Sequence, residues 1–278
     1  MQPDPGRLAR VLTNDIGLPF EGRLKSSDDR QRTLEFVPAG HSDRDTFSIT
    51  ATLRFRRLEL EFLPGRFAAD LLQSMRESGE HGKELFRTLI DECRAQGASV
   101  EIAVNGAPQD ELSEELWQQD WRRLRISLHR GSLEIGDTEQ PDAEIVIPWL
   151  QRFTAAVTSL LPLEEVEDSQ LINEEGLPEG ALTRVEVNRY ERDRRNRAAA
   201  LAIHGTDCAA CTMNFGETYG DIAAGFIEVH HITPVSDMTP GYRVNPRTDL
   251  IPLCPNCHSV AHRKKPPLSV DEIKQALG

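Results

Sequence analysis

Two Cys-x-x-Cys pairs, Cys208/Cys211 and Cys254/Cys257, bracket a tandem histidine, His230-His231, and the second pair runs directly into His258 and His262. That stretch holds four of the five cysteines and four of the eight histidines in the 278-residue chain. The cysteines suit a closed zinc site, because tetrahedral zinc favours four thiolates and a pair spaced by two residues binds from one tight turn. The histidines suit an open site. Neutral imidazoles leave coordination positions for water and substrate, which four thiolates would fill.

Spacing places these groups on local structure. Residues four apart share a helix face, so His258 and His262 can hold one ion if CPNCHSVAH runs from a zinc turn into a helix, with Val260 and Ala261 then facing the domain. FIEVHH reads as a short strand ended by Pro234. In a regular strand His230 and His231 would point to opposite faces, so serving one centre requires the strand to fray there. Asp249 to Leu253 reads as a second strand. The resulting order is strand, loop, strand, helix.

This arrangement resembles the HNH endonucleases with their ββα-metal fold, most closely the four-cysteine, zinc-bearing kind found in McrA-like restriction enzymes. The resemblance covers residues 184 to 265, through RVEVNRYERDRRNRAAALAIHGTDCAAC, FGETYGDIAAGFIEVHHITPVS and DLIPLCPNCHSVAH. It implies that Cys208, Cys211, Cys254 and Cys257 hold a structural Zn²⁺ rather than forming two disulfides. It also makes His230, His258 and His262 ligands of a catalytic divalent ion and His231 the general base. Asp249 matches the position that orients the base, where the family often has Asn. The implied reaction is phosphodiester hydrolysis leaving a 5′ phosphate and a 3′ hydroxyl. Mg²⁺ is the cellular default for the catalytic ion, although three imidazoles are a softer set than Mg²⁺ prefers, which brings in Mn²⁺ and Ni²⁺.

Other residues have plainer readings. Glu228 is either a surface carboxylate or a group that assists the metal. Asn256 is a turn residue, and Cys93, in LFRTLIDECRAQG, is a buried small apolar residue.

A net charge of -13 sits awkwardly with a nucleic-acid substrate. Residues 181–278, however, carry 12 Lys+Arg and 11 Asp+Glu, leaving 20 against 34 on residues 1–180. The acidity belongs to the front of the chain. Behind it, Arg184, Arg189, Arg192, Arg194, Arg195 and Arg197 fall on one expected helix, and Arg263, Lys264 and Lys265 follow the metal helix. Such groups grip phosphates without reading bases, and Arg189, Arg192, Arg195, Arg243, Arg263 and Lys264 are the candidate nucleic-acid contacts. A solvated helix with internal pairs to Glu186, Glu191 and Asp193 is the plain alternative.

The front of the chain reads differently. LEFVPAG, DTFSITATLRFRRLELEFLP, ASVEIAVNG and WRRLRISLHRGSLEI read as strands, whereas GRFAADLLQSMRES, HGKELFRTLIDECRAQG and AEIVIPWLQRFTAAVTSLLPL have helical spacing. The expected fold class is α+β, with a mixed α+β domain over 1–163, an acidic linker over 164–183 and a zinc-stabilised ββα-metal domain over 184–278. With no charged-then-apolar leader and no long apolar run, a cytoplasmic protein without a membrane partner is expected, in keeping with reduced thiols.

The expected function is DNA cleavage in restriction or anti-phage defence. The front domain would recognise modified or phage DNA, or dock other defence proteins. One HNH centre cuts one strand, so a homodimer is the expected route to a double-strand break. The competing readings are a homing or recombination nuclease, an RNA-directed nuclease, and a zinc-stabilised nucleic-acid-binding module without turnover.

Overall fold

The computed structural model describes residues 3–27, 31–110, 113–135, 142–161, 193–233, 242–264 and 266–278. The expected linker over 164–183, together with Arg184, Arg189, Arg192 and Lys265, lies outside these residues.

Helix α1 (Pro5–Ile16) is framed by its sequence. Asp4 accepts a hydrogen bond from the Arg7 amide, Pro5 occupies the first turn, and Gly17 closes the helix at φ 72. Strands β1 (Phe20–Ser27), β2 (Gln31–Pro38), β3 (Phe47–Arg54) and β4 (Arg57–Pro64) follow as an antiparallel meander. Gly22 lets α1 lie against β1, since a Cβ there would meet the Pro5 carbonyl oxygen at 2.2 Å. Helices α2 (Ala69–Arg76) and α3 (Glu80–Ala95) lead to β5 (Ser99–Val104) and β6 (Ala107–Gln109). Short α4 (Glu114–Gln118), β7 (Leu124–Gly131) and α5 (Asp142–Ser159) complete the front unit. Its sheet has the order β1-β2-β3-β4-β7-β5-β6 among the described residues.

Strand register explains the core. Leu34 pairs with Ala51 and Phe36 with Ile49, Ile49 with Phe62, Ala51 with Leu60, and Leu60 and Phe62 with Leu128 and Ile126. Directly opposed residues share a face, so these side chains form one apolar ribbon across the sheet. Leu8 and Leu12 of α1, Phe86 and Leu89 of α3 and Phe153 of α5 cover it, all buried. Each fully buried side chain of this size stabilises the fold by roughly 1.5–3 kcal/mol. The opposite face is polar, with buried Glu35 held between Arg23 and Lys25 and with Glu61 paired to Arg125.

Helix α6 (Arg194–His204), capped by the Asp193 side chain, belongs to both cores. Ala198, Ala199 and Ala202 join the front core, whereas Ala200 and Leu201 join the second. Small residues on both sides let neighbouring elements approach the helix closely. Beyond it come α7 (Phe215–Tyr219), a 3₁₀ turn at Gly220–Ala223, β8 (Glu228–His231), β9 (Leu250–Leu253), α8 (Pro255–Ala261) and α9 (Val270–Leu277). β8 and β9 form a two-stranded antiparallel sheet. Both units thus mix helix and sheet in an α+β architecture, and no helix among the described residues is long and apolar enough to cross a membrane.

Candidate metal centre and active site

The cysteine clamp is assembled from two turns brought together by the hairpin. The Ala209 amide donates to the Pro252 carbonyl of β9 at 2.9 Å, and the Thr212 amide donates to the Cys208 carbonyl at 2.8 Å, with Thr212 at φ 60. From the other side, the Cys254 sulfur caps α8 by accepting from the Cys257 amide, and Pro255 starts the helix. The sulfurs of Cys208, Cys211, Cys254 and Cys257 lie within 4.8 Å of one another, with 3.7 Å between Cys211 and Cys254. Zn–S bonds of ~2.3 Å in a tetrahedron separate sulfurs by about 3.8 Å, so the donor set and spacing fit zinc. All four are free thiols, not disulfides. Burial opposes the Cys208 thiolate, but backbone hydrogen bonds from Cys211, Cys254 and Ala210 outweigh it and lower its pKa to about 7. Cys257 is pushed up, first by burial and then by its thiol neighbours.

The second cluster uses another face of α8. His230 on β8, His258 in α8 and His262 at the C-cap of α8 offer nitrogens within 4.8 Å of one another. Their ring centroids are 4.9–5.1 Å apart, and the His258 and His262 Nε2 atoms approach to 3.2 Å. Metal–nitrogen bonds of ~2.1 Å place neighbouring ligand atoms about 3.0–3.4 Å apart, so the three rings fit one divalent ion. The i, i+4 spacing works as the helix geometry requires. Val260 departs from expectation: it is 41% exposed, while Ala261 is fully buried. With 100° between residues, Cys257 and Ala261 take the core face and His258 and His262 the metal face, which leaves Val260 outward.

Glu228, ambiguous in the sequence, finds its partner here. Its Oε2 lies 2.5 Å from His258 Nδ1. Glu228 and His230 share a face of β8, so the carboxylate and the ligand ring reach the same helix. Donation from Nδ1 to this carboxylate puts the proton on Nδ1 and leaves the Nε2 lone pair for the centre. Burial first, then the neighbouring imidazoles, lowers the His230 pKa to about 4. Burial likewise lowers His262, with His258 adding to it. Both are therefore neutral and able to ligate near pH 7.

His231 is the last residue of β8, still in register with Leu250, so the fraying expected at the histidine doublet is not seen; the residue is half-buried beside the cluster. Burial lowers its pKa, and Asp249 pulls in the opposite direction through charge. The Asp249 carboxylate itself accepts from Tyr242 Oη and the Asn245 amide, each at 2.8 Å, and from Thr248 Oγ1 at 3.0 Å. Among the described residues none of these donors is His231, so Asp249 acts on that ring by charge while bracing the loop before β9. Its main-chain carbonyl also accepts from the Ile232 amide at 2.8 Å, tying the two strand ends together. Tyr242 was missed in the sequence, where nothing in its spacing marks it as a partner of Asp249.

The candidate phosphate-gripping residues divide. Arg195 grips Asp193, its own helix cap, Arg194 donates to the Gly17 carbonyl, and Arg197 donates to the Ile227 carbonyl. These arginines, each partly exposed, tie α6 to its own cap and to neighbouring backbone rather than standing free as a basic face. Arg243 reaches Glu84 at 3.5 Å, and Arg247 is paired with Glu92, both carboxylates lying on α3. Arg263 and Lys264 are exposed just past α8, whereas Arg189 and Arg192 lie outside the described residues.

Searches of the curated proteins and of the solved structures return no match. Residues 208–264, which span the cysteine clamp, the hairpin and the metal helix, match the model of the HNH endonuclease family. With a four-cysteine cluster that fits structural zinc and three histidines converging beside it, this segment is similar to the HNH endonucleases and consistent with their zinc-bearing kind.

Proposed function

We propose that the protein is a metal-dependent endonuclease that hydrolyses DNA, acting in restriction or phage defence. The observation that carries this reading is the convergence of His230, His258 and His262 with His231 at the adjoining strand end. A clamp needed only for stability would require the four cysteines and none of these histidines.

A divalent cation held by the three imidazoles would supply positive charge to a non-bridging phosphate oxygen and to the departing 3′ oxygen. His231, neutral near pH 7, accepts a proton from the attacking water as the oxygen–phosphorus bond forms. The phosphorus–O3′ bond breaks, its electron pair stays on the 3′ oxygen, and that oxygen takes a proton from solvent. Asp249 stabilises the imidazolium that develops on His231, because its carboxylate is held ionised: burial opposes this, but bonds from Asn245, Tyr242 and Thr248 prevail and lower its pKa. Glu228 keeps His258 in the ligating tautomer. Three imidazoles suit Mn²⁺ or Ni²⁺ better than Mg²⁺, although Mg²⁺ is the abundant cellular ion.

Plasmid nicking in Mg²⁺ and in Mn²⁺ tests the reading. Wild type should convert supercoiled to open-circular DNA, and the ends should carry a 5′ phosphate and a 3′ hydroxyl. Zinc-loaded, folded wild type that cuts neither DNA nor RNA with any of these metals would favour a binding module without turnover. Comparing unmodified, cytosine-methylated and hydroxymethylated phage DNA then tests the defence role.

A further inference from the structure

The Phe55–Arg57 hairpin tip on the front sheet, with Arg130 and Arg152 beside it, has chemistry that neither the cysteine clamp nor the histidine centre uses. We propose that this rim is a second contact surface for the DNA duplex that the histidine centre cuts; the proposal rests on the nuclease reading and gives the front unit a direct role in holding substrate.

The tip is built to be rigid. β3 and β4 are joined by Phe55 and Arg56 alone, since Arg54 already pairs with Arg57. Arg56 sits at φ 56 and Ser132, across from it, at φ 58, both unusual for residues other than glycine. Two hydrogen bonds lock them, from the Arg56 amide to the Ile135 carbonyl at 3.1 Å and from the Leu133 amide to the Arg56 carbonyl at 3.2 Å. This braced turn presents Phe55 to solvent at 74% exposure.

Its charge is equally specific. Arg56 and Arg57 are exposed, and Arg57 and Arg130 line one depression at the end of the sheet. The Arg130 and Arg152 guanidinium carbons lie 5.4 and 5.7 Å from the centre of the same Trp149 ring, and the buried Nε of each has no hydrogen-bond partner. Elsewhere on the sheet Glu35 neutralises Arg23 and Glu61 neutralises Arg125. None of Arg56, Arg57, Arg130 and Arg152 has such an ion pair among the described residues. Glu59 also lines the depression, but Arg54 takes it at 2.9 Å.

One member of the rim is linked electrostatically to the loop before β9. Arg152 acts through charge on Glu92, and Glu92 pairs with Arg247, two residues before Asp249. Guanidinium groups suit phosphate, where their planar forks bind two oxygens at once. An exposed phenylalanine held among them suits a base step, where aromatic wedges enter the minor groove. In a segment carrying 20 Lys+Arg against 34 Asp+Glu, cations gathered in one place mark where a polyanion can approach.

The test uses the full chain carrying His231→Ala, which binds a labelled duplex without cutting it, across a salt series, with nicking by otherwise wild-type protein measured alongside. Arg57→Ala with Arg130→Gln should weaken duplex binding roughly 10-fold or more and reduce the slope of log affinity against log salt by about 2. Arg122→Ala with Arg123→Ala, exposed at the other end of β7, should change neither. Phe55→Ala should weaken binding while leaving the slope intact. If the paired variant melts early, Arg57→Ala alone should lower the slope by about 1. An unchanged slope and affinity, with the wild type still nicking, overturns the rim proposal and leaves the nuclease reading standing. Wild type that neither binds nor nicks a duplex overturns both, and loss of RNA binding alone overturns the assignment to DNA.

Discussion

Asp15 sits where the front unit meets the HNH domain, and replacing it by Asn should flatten the pH dependence of stability. The residue is 3% exposed at the end of α1, accepts from Gln151 Nε2 through Oδ2, and has no hydrogen-bond partner at Oδ1. Burial, opposed by the Gln151 bond and by the charge of Arg197, raises its pKa from 3.8 to about 7. Around it, the Asn14 side chain donates to the Ala224 carbonyl at 3.0 Å and Arg7 pairs with Asp221 at 2.7 Å. Because the folded pKa is raised, the stability associated with protonated Asp15 is fully present below pH 3.8 and is lost as pH rises to about 7. At about 1.4 kcal/mol per pKa unit, a shift from 3.8 to about 7 amounts to about 4 kcal/mol. Asp15→Asn keeps the shape and an acceptor for Gln151 but does not ionise. Its stability relative to wild type should therefore rise by about 4 kcal/mol between roughly pH 4 and pH 8. Denaturant titrations of both proteins across that range measure the difference, in which other ionisable groups cancel and any fixed cost of the amide appears equally at both ends. A difference that stays constant with pH would refute a buried, proton-holding Asp15.

Other predictions concern the site and the core. His231→Ala should slow plasmid nicking by roughly 10²–10⁴-fold without loss of the zinc, read by metal analysis; unchanged cutting would remove His231 as the base. Glu228→Gln should weaken Mn²⁺ binding or activity by roughly 10–100-fold, because the amide cannot accept the His258 proton as a carboxylate does; wild-type Mn²⁺ affinity and activity would show that the contact is incidental. Cys254→Ser should lose zinc and unfold the HNH domain, since ligand binding supplies much of the folding energy of so small a unit; a folded, zinc-free variant by circular dichroism and metal analysis would contradict this. Leu60→Ala, at a fully buried position of the front sheet, should cost about 2–5 kcal/mol in denaturant unfolding.

Legibility in the sequence followed the range of the interaction. The i, i+4 pair His258/His262 and the two Cys-x-x-Cys turns were readable because their geometry is local. Alternation in ITATL and LELEF likewise marked strand there, although the turn at Phe55 and Arg56 that divides the stretch into β3 and β4 was not read. Helix α1 went unread although its signals are present: Asp4-Pro5 at the start, Leu8, Leu12 and Ile16 at helical spacing, and Gly17 at the stop. Glu228 could be placed on a strand beside His230, but its bond to His258 depends on how α8 packs across the hairpin. The arginines around Asp193 looked like one basic face. Arg194 and Arg197 instead donate to the Gly17 and Ile227 carbonyls, partners that the α6 packing supplies, while Arg195 pairs with Asp193 two residues away, as the alternative of internal pairs expected.

What the sequence made legible by itself was the division between cysteine pairs suited to a closed site and histidines suited to an open one, since ligand type and the short spacing within each turn and along α8 are local properties. Tertiary structure decided which carboxylate serves which histidine, where α6 sits between two cores, and where Arg57 and Arg130 gather. Those outcomes depend on strand register and helix docking between residues far apart in the chain, and no local pattern encodes such contacts.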